Sequence, residues 1–226
     1  MEAERIDPAT PLGERTLTGL HAALIKRLPP LPPEAAILDV GCGTGAWLRR
    51  LSEAGFSNLF GVDQDLSGFR FPAAKVRPFD LNGDASPFPG QRFALITAIE
   101  VIEHLDNPGR LYRLAQHHLV DGGHLLLTTP NIHSLVSRLR HLVTGQLGQF
   151  DAKGDQTHVT PLLLAGMERL LPRYGLKLVA RWGHPERGSI VYRRPVALAA
   201  QVLGVLLPND IPGDALCLLL RRSDAA

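Results

Sequence analysis

Apolar and polar positions divide the chain into short apolar runs and longer amphipathic stretches. Residues 35–40, 58–63, 93–99 and 124–129 are apolar runs bounded by Gly, Pro, Asn or Asp, the pattern of buried strands, and 75–79 reads as a weak strand between them. Two more follow at 176–182 and 215–220. Between them lie helical stripes. Residues 16–28 carry Leu17, Leu20, Leu24, Ile25 and Leu28 on one face, and residues 46–54 stop at Gly55. Helical periodicity recurs over 110–119 and 135–143, and Thr160-Pro161 opens another helix running to 171. The span 67–74 is short and broken by Pro and Gly, so the second crossover is degenerate. The order predicts an α/β, doubly wound sheet. Residues 1–34 read as an arm and helix, and 35–226 as one domain with insertions near 132–160 and 184–214. Residues 145–156 form a polar loop long enough to act as a lid.

The chain is organised around Asp39-Val40-Gly41-Cys42-Gly43-Thr44-Gly45, between the first strand and its helix. Glycines at every second position suit a turn whose backbone approaches a ligand closely. A strand, a Gly turn and a helix in this order make a nucleotide-type site. Gly41, Gly43 and Ala46 also satisfy the loose dinucleotide pattern. Against that reading, Gly45 comes one place early and Asp39 sits where a pyrophosphate would be repelled. An amine-bearing or cationic ligand would instead gain from the carboxylate. Asp63, 18 residues beyond Gly45, lies where an acid accepts from both hydroxyls of a ribose.

These residues, Asp39-x-Gly41-x-Gly43-x-Gly45, resemble the first motif of class I S-adenosylmethionine (SAM) methyltransferases, here the type 11/type 23 group and the ubiquinone-biosynthesis O-methyltransferases. The resemblance implies a Rossmann-like, seven-stranded sheet whose last strand is antiparallel. It implies SAM as methyl donor, held by Asp39, Gly41, Cys42, Gly43, Gly45, Asp63, Gln64, Asp80, Leu81 and Ile99. Asp80 and Leu81 would meet the adenine.

Glu100-Val101-Ile102-Glu103-His104 closes the fourth strand, where ligands bind in open α/β sheets. Two carboxylates and an imidazole within five residues suit a base or a hard divalent ion such as Mg²⁺. The same pattern resembles the ubiquinone-pathway enzymes. It also resembles small-RNA 3′-end 2′-O-methyltransferases, in which these residues and a later histidine hold a metal. Glu100, His104 and His158 are the catalytic candidates, with Glu100, Glu103 and His104 as the metal candidates. His133, after the fifth strand, is a further candidate base.

Charge and composition narrow the partners. Twenty-four basic and 22 acidic residues leave a formal charge of +2, which gives no strong pull toward nucleic acid. A small-molecule acceptor, through an oxygen, is the expectation; an RNA 2′-O-methyltransferase and a non-catalytic binding subunit are the alternatives. Two cysteines suggest no disulfide framework, and the polar N-terminus is unlike a signal peptide, which together fit the cytoplasm. Residues 196–207 hold one polar residue, Gln201, and are too short to span a bilayer. They suit a core helix, an acceptor cover or a peripheral membrane contact.

Overall fold

A computed structural model describes residues 12–83, 86–191 and 211–223. Seven strands form one sheet: β1 (Ile37–Val40), β2 (Leu59–Asp63), β3 (Lys75–Pro78), β4 (Phe93–Ile99), β5 (Leu119–Pro130), β6 (Leu176–His184) and β7 (Ala215–Arg222). Their order is β3-β2-β1-β4-β5-β7-β6. Strands β1 to β5 pair in parallel, while β7 runs antiparallel between β5 and β6. The sheet is the expected one, with its last strand reversed.

Alternation along the strands sorts side chains to two faces. Ile37, Leu59, Leu95, Leu126 and Leu219 face a layer made by α1 (Leu20–Ile25) and α2 (Ala46–Glu53), where Leu20, Leu24, Trp47, Leu48 and Leu51 are buried. Leu38, Phe60, Ile96, Leu125 and Leu218 face α3 (Gly109–His118) and α5 (Leu164–Leu170). A fifth helix, α4 (Leu135–Thr144), is capped by Ser134, whose Oγ accepts from the Ser137 amide. Strand order reverses between β1 and β4, and the crevice opens outside their carboxyl ends.

Several elements differ from their sequence patterns for local reasons. The first helix is confined to Leu20–Ile25, starting after Gly19 at φ 78°. Strand β5 begins at Leu119 rather than 124, because the Asp121–Gly123 turn is absorbed as an irregularity against Phe93 and Leu95. Helix α5 starts at Leu164 rather than at Thr160. Thr160 is already committed: its amide donates to the Glu103 carbonyl and its hydroxyl to that of Leu105. No helix lies between β2 and β3 among the described residues, and Phe69 and Phe71 pack over Gly45 instead. The apolar stretch 196–207 falls outside the described residues.

Candidate active site

One cavity of about 950 Å³ runs along the carboxyl ends of β1, β2 and β4. Gly41 (φ 75°) and Gly43 (φ 49°) hold left-handed backbone in its wall. A Cβ on Gly41 would stand 2.5 Å from Val101 Cγ2, whereas one on Gly43 would meet no protein atom within 4 Å. So Gly41 lets the turn after β4 lie against the glycine loop, and Gly43 leaves open space. The loop is pinned from below, with the Gly41 and Cys42 amides donating to the Val62 carbonyl. Asp63 pins it from the side: Oδ2 accepts from the Gly43 amide at 2.8 Å and Oδ1 from the Asp65 amide at 3.0 Å.

Asp39 lies under this loop, 3% exposed. Its Oδ1 accepts from Thr97 Oγ1 at 2.7 Å, and Thr97 Oγ1 accepts from Trp47 Nε1 at 3.1 Å. Burial pushes the carboxyl up to about 7, with Thr97 pulling the other way and Asp63 adding to the rise. A cation arriving beside it would favour the ionised form. Burial pushes the Cys42 thiol far up as well, so Cys42 lines the cavity as an inert small side chain.

Gln64, Leu81 and Ile99 line the cavity with Phe79 and Asn82. Asp80 does not. Its Oδ1 accepts from Gln64 Nε2 at 2.8 Å and from the Asn82 amide at 2.9 Å, which spends it on shaping the β3 turn. Gly45 is likewise behind the wall, under Phe69 and Phe71.

Beyond β4 the cavity changes character. Glu100 sits at φ 53°, a left-handed conformation rare outside glycine, and Thr128 holds it there from two sides. The Glu100 amide donates to Thr128 Oγ1 at 3.0 Å, and that hydroxyl donates back to Glu100 Oε1 at 2.7 Å. Burial raises the Glu100 carboxyl to about 7. Glu103, next along, is fully buried, and neither carboxylate oxygen has a hydrogen-bond partner. Burial first, then the Glu100 charge, holds the Glu103 carboxyl well above the usual range. A buried hydroxyl, that of Thr129, lies beside the Glu103 carboxyl and pulls its pKa the other way.

The lid covers this end. His104 Nδ1 lies 3.2 Å from the Thr157 carbonyl and 2.9 Å from Thr157 Oγ1, whose own proton goes to Asp155 Oδ1 at 2.6 Å. With both neighbours accepting, Nδ1 carries the proton and Nε2 keeps a lone pair. His158 Nδ1 faces the Gln149 carbonyl at 2.9 Å, which fixes the same tautomer. The two rings sit 4.8 Å apart between centroids. Burial, then His158, lowers the His104 pKa, which also favours the neutral ring. Ligand atoms of Glu103, His104 and His158 all lie within 4.8 Å of one another.

This is not the expected metal set. Glu100 is drawn aside by Thr128, and His158, brought over by the lid, takes the third place. The orphaned carboxylate and two available imidazole lone pairs fit a divalent ion. Two nitrogens suit a transition metal better than Mg²⁺, which prefers oxygen ligands. His133 stays out of the cavity: its Nε2 lies 3.0 Å from the Leu162 carbonyl and accepts from the Leu164 amide at 3.3 Å.

The sequence pattern did not single out the N-terminal contribution. Gly13, Arg15, Thr16 and His21 line the cavity. Thr44 Oγ1 donates to the Gly13 carbonyl at 3.0 Å, and Glu14 Oε1 accepts from Arg50 at 2.5 Å, so residues 13–16 are strapped to the glycine loop and α2. Lys153, Asp155 and Thr157 of the lid were also missed, since nothing in their spacing points across the chain to His104.

A family model described as a methyltransferase domain matches residues 14–181. The chain belongs to the class I SAM-dependent methyltransferase family. Among curated relatives, the mitochondrial ubiquinone biosynthesis O-methyltransferase of Candida albicans is 33% identical over 107 residues, covering 42% of this chain and 32% of the relative. The matches span 32% to 44% of the curated relatives' own lengths. A SAM-dependent methyltransferase from Mesorhizobium loti superposes with a TM-score of 0.58 at 16% identity, over 88% of this chain and 96% of that one. One from Archaeoglobus fulgidus does so with a TM-score of 0.59 at 18% identity, over 89% and 92%. These methyltransferases share the fold of this chain. Among the described residues no helix is long and apolar enough to cross a membrane.

Proposed function

We propose that this methyltransferase transfers the methyl group of SAM to an oxygen of a small or lipophilic acceptor. One observation carries the reading: a single cavity joins the Gly41–Gly43 loop and Asp63 to Glu100, His104 and His158. Asp39 faces the cationic methionine end, and Asp63 has lone pairs left for a ribose diol. Leu81, Phe79 and Ile99 sandwich the base, while Asp80 acts one step behind through Gln64.

SAM supplies a methyl already activated on a sulfonium, and its leaving thioether is neutral. The chain's task is therefore to aim the acceptor oxygen and take its proton. Glu100, with a carboxyl near 7 and a backbone locked by Thr128, is the proposed base. A divalent ion, where bound, would be held by Glu103, His104 and His158, and would acidify an acceptor hydroxyl. Oxygen acceptance finds further support in the names of the ubiquinone biosynthesis O-methyltransferases that the chain matches.

The test is calorimetric titration with SAM, NADH and ATP, followed by transfer of labelled methyl from SAM into a cell extract with and without EDTA. SAM binding and label in a small-molecule fraction are expected. Binding of NADH alone would sink the reading. The Glu103–His104–His158 group also favours a second reading, RNA 2′-O-methylation. Label appearing at RNA 3′ ends only with a divalent ion would move the assignment there.

A further inference from the structure

The three candidate metal donors come from two pieces of chain that the sequence keeps far apart. Glu103 and His104 sit on the turn after β4, and His158 sits two residues past the 145–156 loop, on the stretch to 160 that continues it and belongs to the lid. Residues 152, 153 and 155–157 are exposed, and Phe150 makes its main ring contact with His158 itself, at 5.6 Å. Most of the lid's anchoring is polar: the Val159 and Thr160 amides on the Glu103 carbonyl, the Thr160 hydroxyl on the Leu105 carbonyl, Gln149 Nε2 on the Asp214 carbonyl, the Arg140–Asp151 ion pair, and Thr157 on His104. Segments of this kind open at low cost.

We infer that a transition-metal ion bound by Glu103, His104 and His158 is the latch of the lid, so that ion binding and closure over the acceptor end are one event. The Glu103 carboxylate, fully buried with no charged partner among the described residues to offset it and within 4.8 Å of two imidazoles whose Nε2 lone pairs are set by Thr157 and Gln149, is the observation that asks for a cation. An ion ligated across the gap stabilises only the closed arrangement, since opening removes His158. Coupling is reciprocal: the ion favours the closed lid, and whatever lowers the closed fraction weakens the ion in proportion to that fraction. The inference rests on the metal-binding part of the proposed function and is independent of what the acceptor is.

The experiment uses the full chain stripped with EDTA and titrated with Co²⁺ alone, with Mg²⁺ as contrast, alongside backbone hydrogen–deuterium exchange. One Co²⁺ per chain is expected, with Mg²⁺ at least tenfold weaker. Bound Co²⁺ should slow exchange across 145–160 at least tenfold and leave β6 unchanged. His158→Ala should weaken Co²⁺ at least tenfold. Asp151→Asn, which removes no ligand, should raise lid exchange and weaken Co²⁺ severalfold. Absence of saturable Co²⁺ binding overturns the inference. So does binding that leaves lid exchange unchanged, or wild-type affinity in either variant. SAM titrated into the same samples separates the two failures: SAM binding without Co²⁺ overturns the latch alone, and Co²⁺ binding without SAM overturns the methyl-transfer reading alone.

Discussion

At the donor end the cavity wall is backbone: Gly41 and Gly43 in left-handed conformations, with amides tied to Val62 and Asp63. At the acceptor end the wall is side chains: Glu100, His104 and His158, the last reaching in from more than fifty residues away. A backbone wall demands particular residue types at fixed spacing, because only glycine gives up its Cβ without strain. A side-chain wall demands only that some group arrive, from whichever segment the fold brings near. The two ends should therefore fail differently when mutated, donor changes in SAM affinity and acceptor changes in turnover.

The largest effect is expected at the acceptor end. Glu100→Gln keeps the shape and the Thr128 contact but cannot take a proton. Methyl transfer should fall about 10²–10⁴-fold in kcat, with the SAM dissociation constant within about threefold of wild type. Single-turnover kinetics with calorimetry checks both. A loss that appears in SAM affinity instead would erase the division between the two ends.

Next comes a pair inside the glycine loop. Gly41→Ala meets left-handed strain of roughly 1–2 kcal/mol and a clash with Val101, a stiff β-branched residue. It should cost about 2–4 kcal/mol of stability, and by pushing the Glu100–Val101 turn it should lower kcat as well. Gly43→Ala bears the strain without the clash. It should cost about 1–2 kcal/mol, while its methyl stands in the cavity and weakens SAM. Denaturant titration and calorimetry compare them. Equal stability losses would mean that Gly41 does not carry the contact between the two ends.

Asp63→Asn is smaller again. Loss of a charge-assisted bond to the ribose predicts SAM binding weaker by about 1.5–3 kcal/mol, roughly 10–160-fold, while the weakened bond from the Gly43 amide loosens the loop. The acceptor constant should not move. If it does, the glycine loop shapes both ends.

The same division explains what the sequence disclosed. Gly41, Gly43 and Asp63 are legible because each answers to a local backbone event at the end of a strand. The sheet was legible for a similar reason, since period-two alternation and buried runs mark β1, β2 and β4 whatever lies around them. Position at a strand end does not say which way a carboxylate turns, and Asp80, outside the cavity lining, accepts from Gln64 and Asn82. His158 could be flagged as a histidine in a loop, but its place beside Glu103 depends on two backbone bonds from Val159 and Thr160. Those same bonds delayed the start of α5. Nothing in the order of residues along the chain encodes such a meeting.

Asp39 lies on β1 under the glycine loop and Glu100 just beyond the end of the neighbouring strand β4, each with its carboxyl raised by burial to about 7. Below the pH where an unfolded carboxyl ionises, folded and unfolded chains both hold these protons and no stability is lost. As pH rises further the unfolded chain gives its protons up while the folded chain keeps them. The contribution therefore falls until the pH passes about 7 and then levels. For one such group the fall between pH 6 and 8 is about 1.4 kcal/mol, which lowers the melting temperature of a chain this size by roughly 3–5 °C. Melting curves of the ligand-free protein at pH 6, 7 and 8 should show this fall, and Asp39→Asn and Glu100→Gln should each flatten part of it. Saturating SAM should remove the Asp39 share alone, because the cationic methionine end favours the ionised carboxylate there and nowhere near Glu100's bond to Thr128. A ligand-free profile that is flat, or SAM that flattens both shares equally, would mean that the two carboxyls do not report on separate ends.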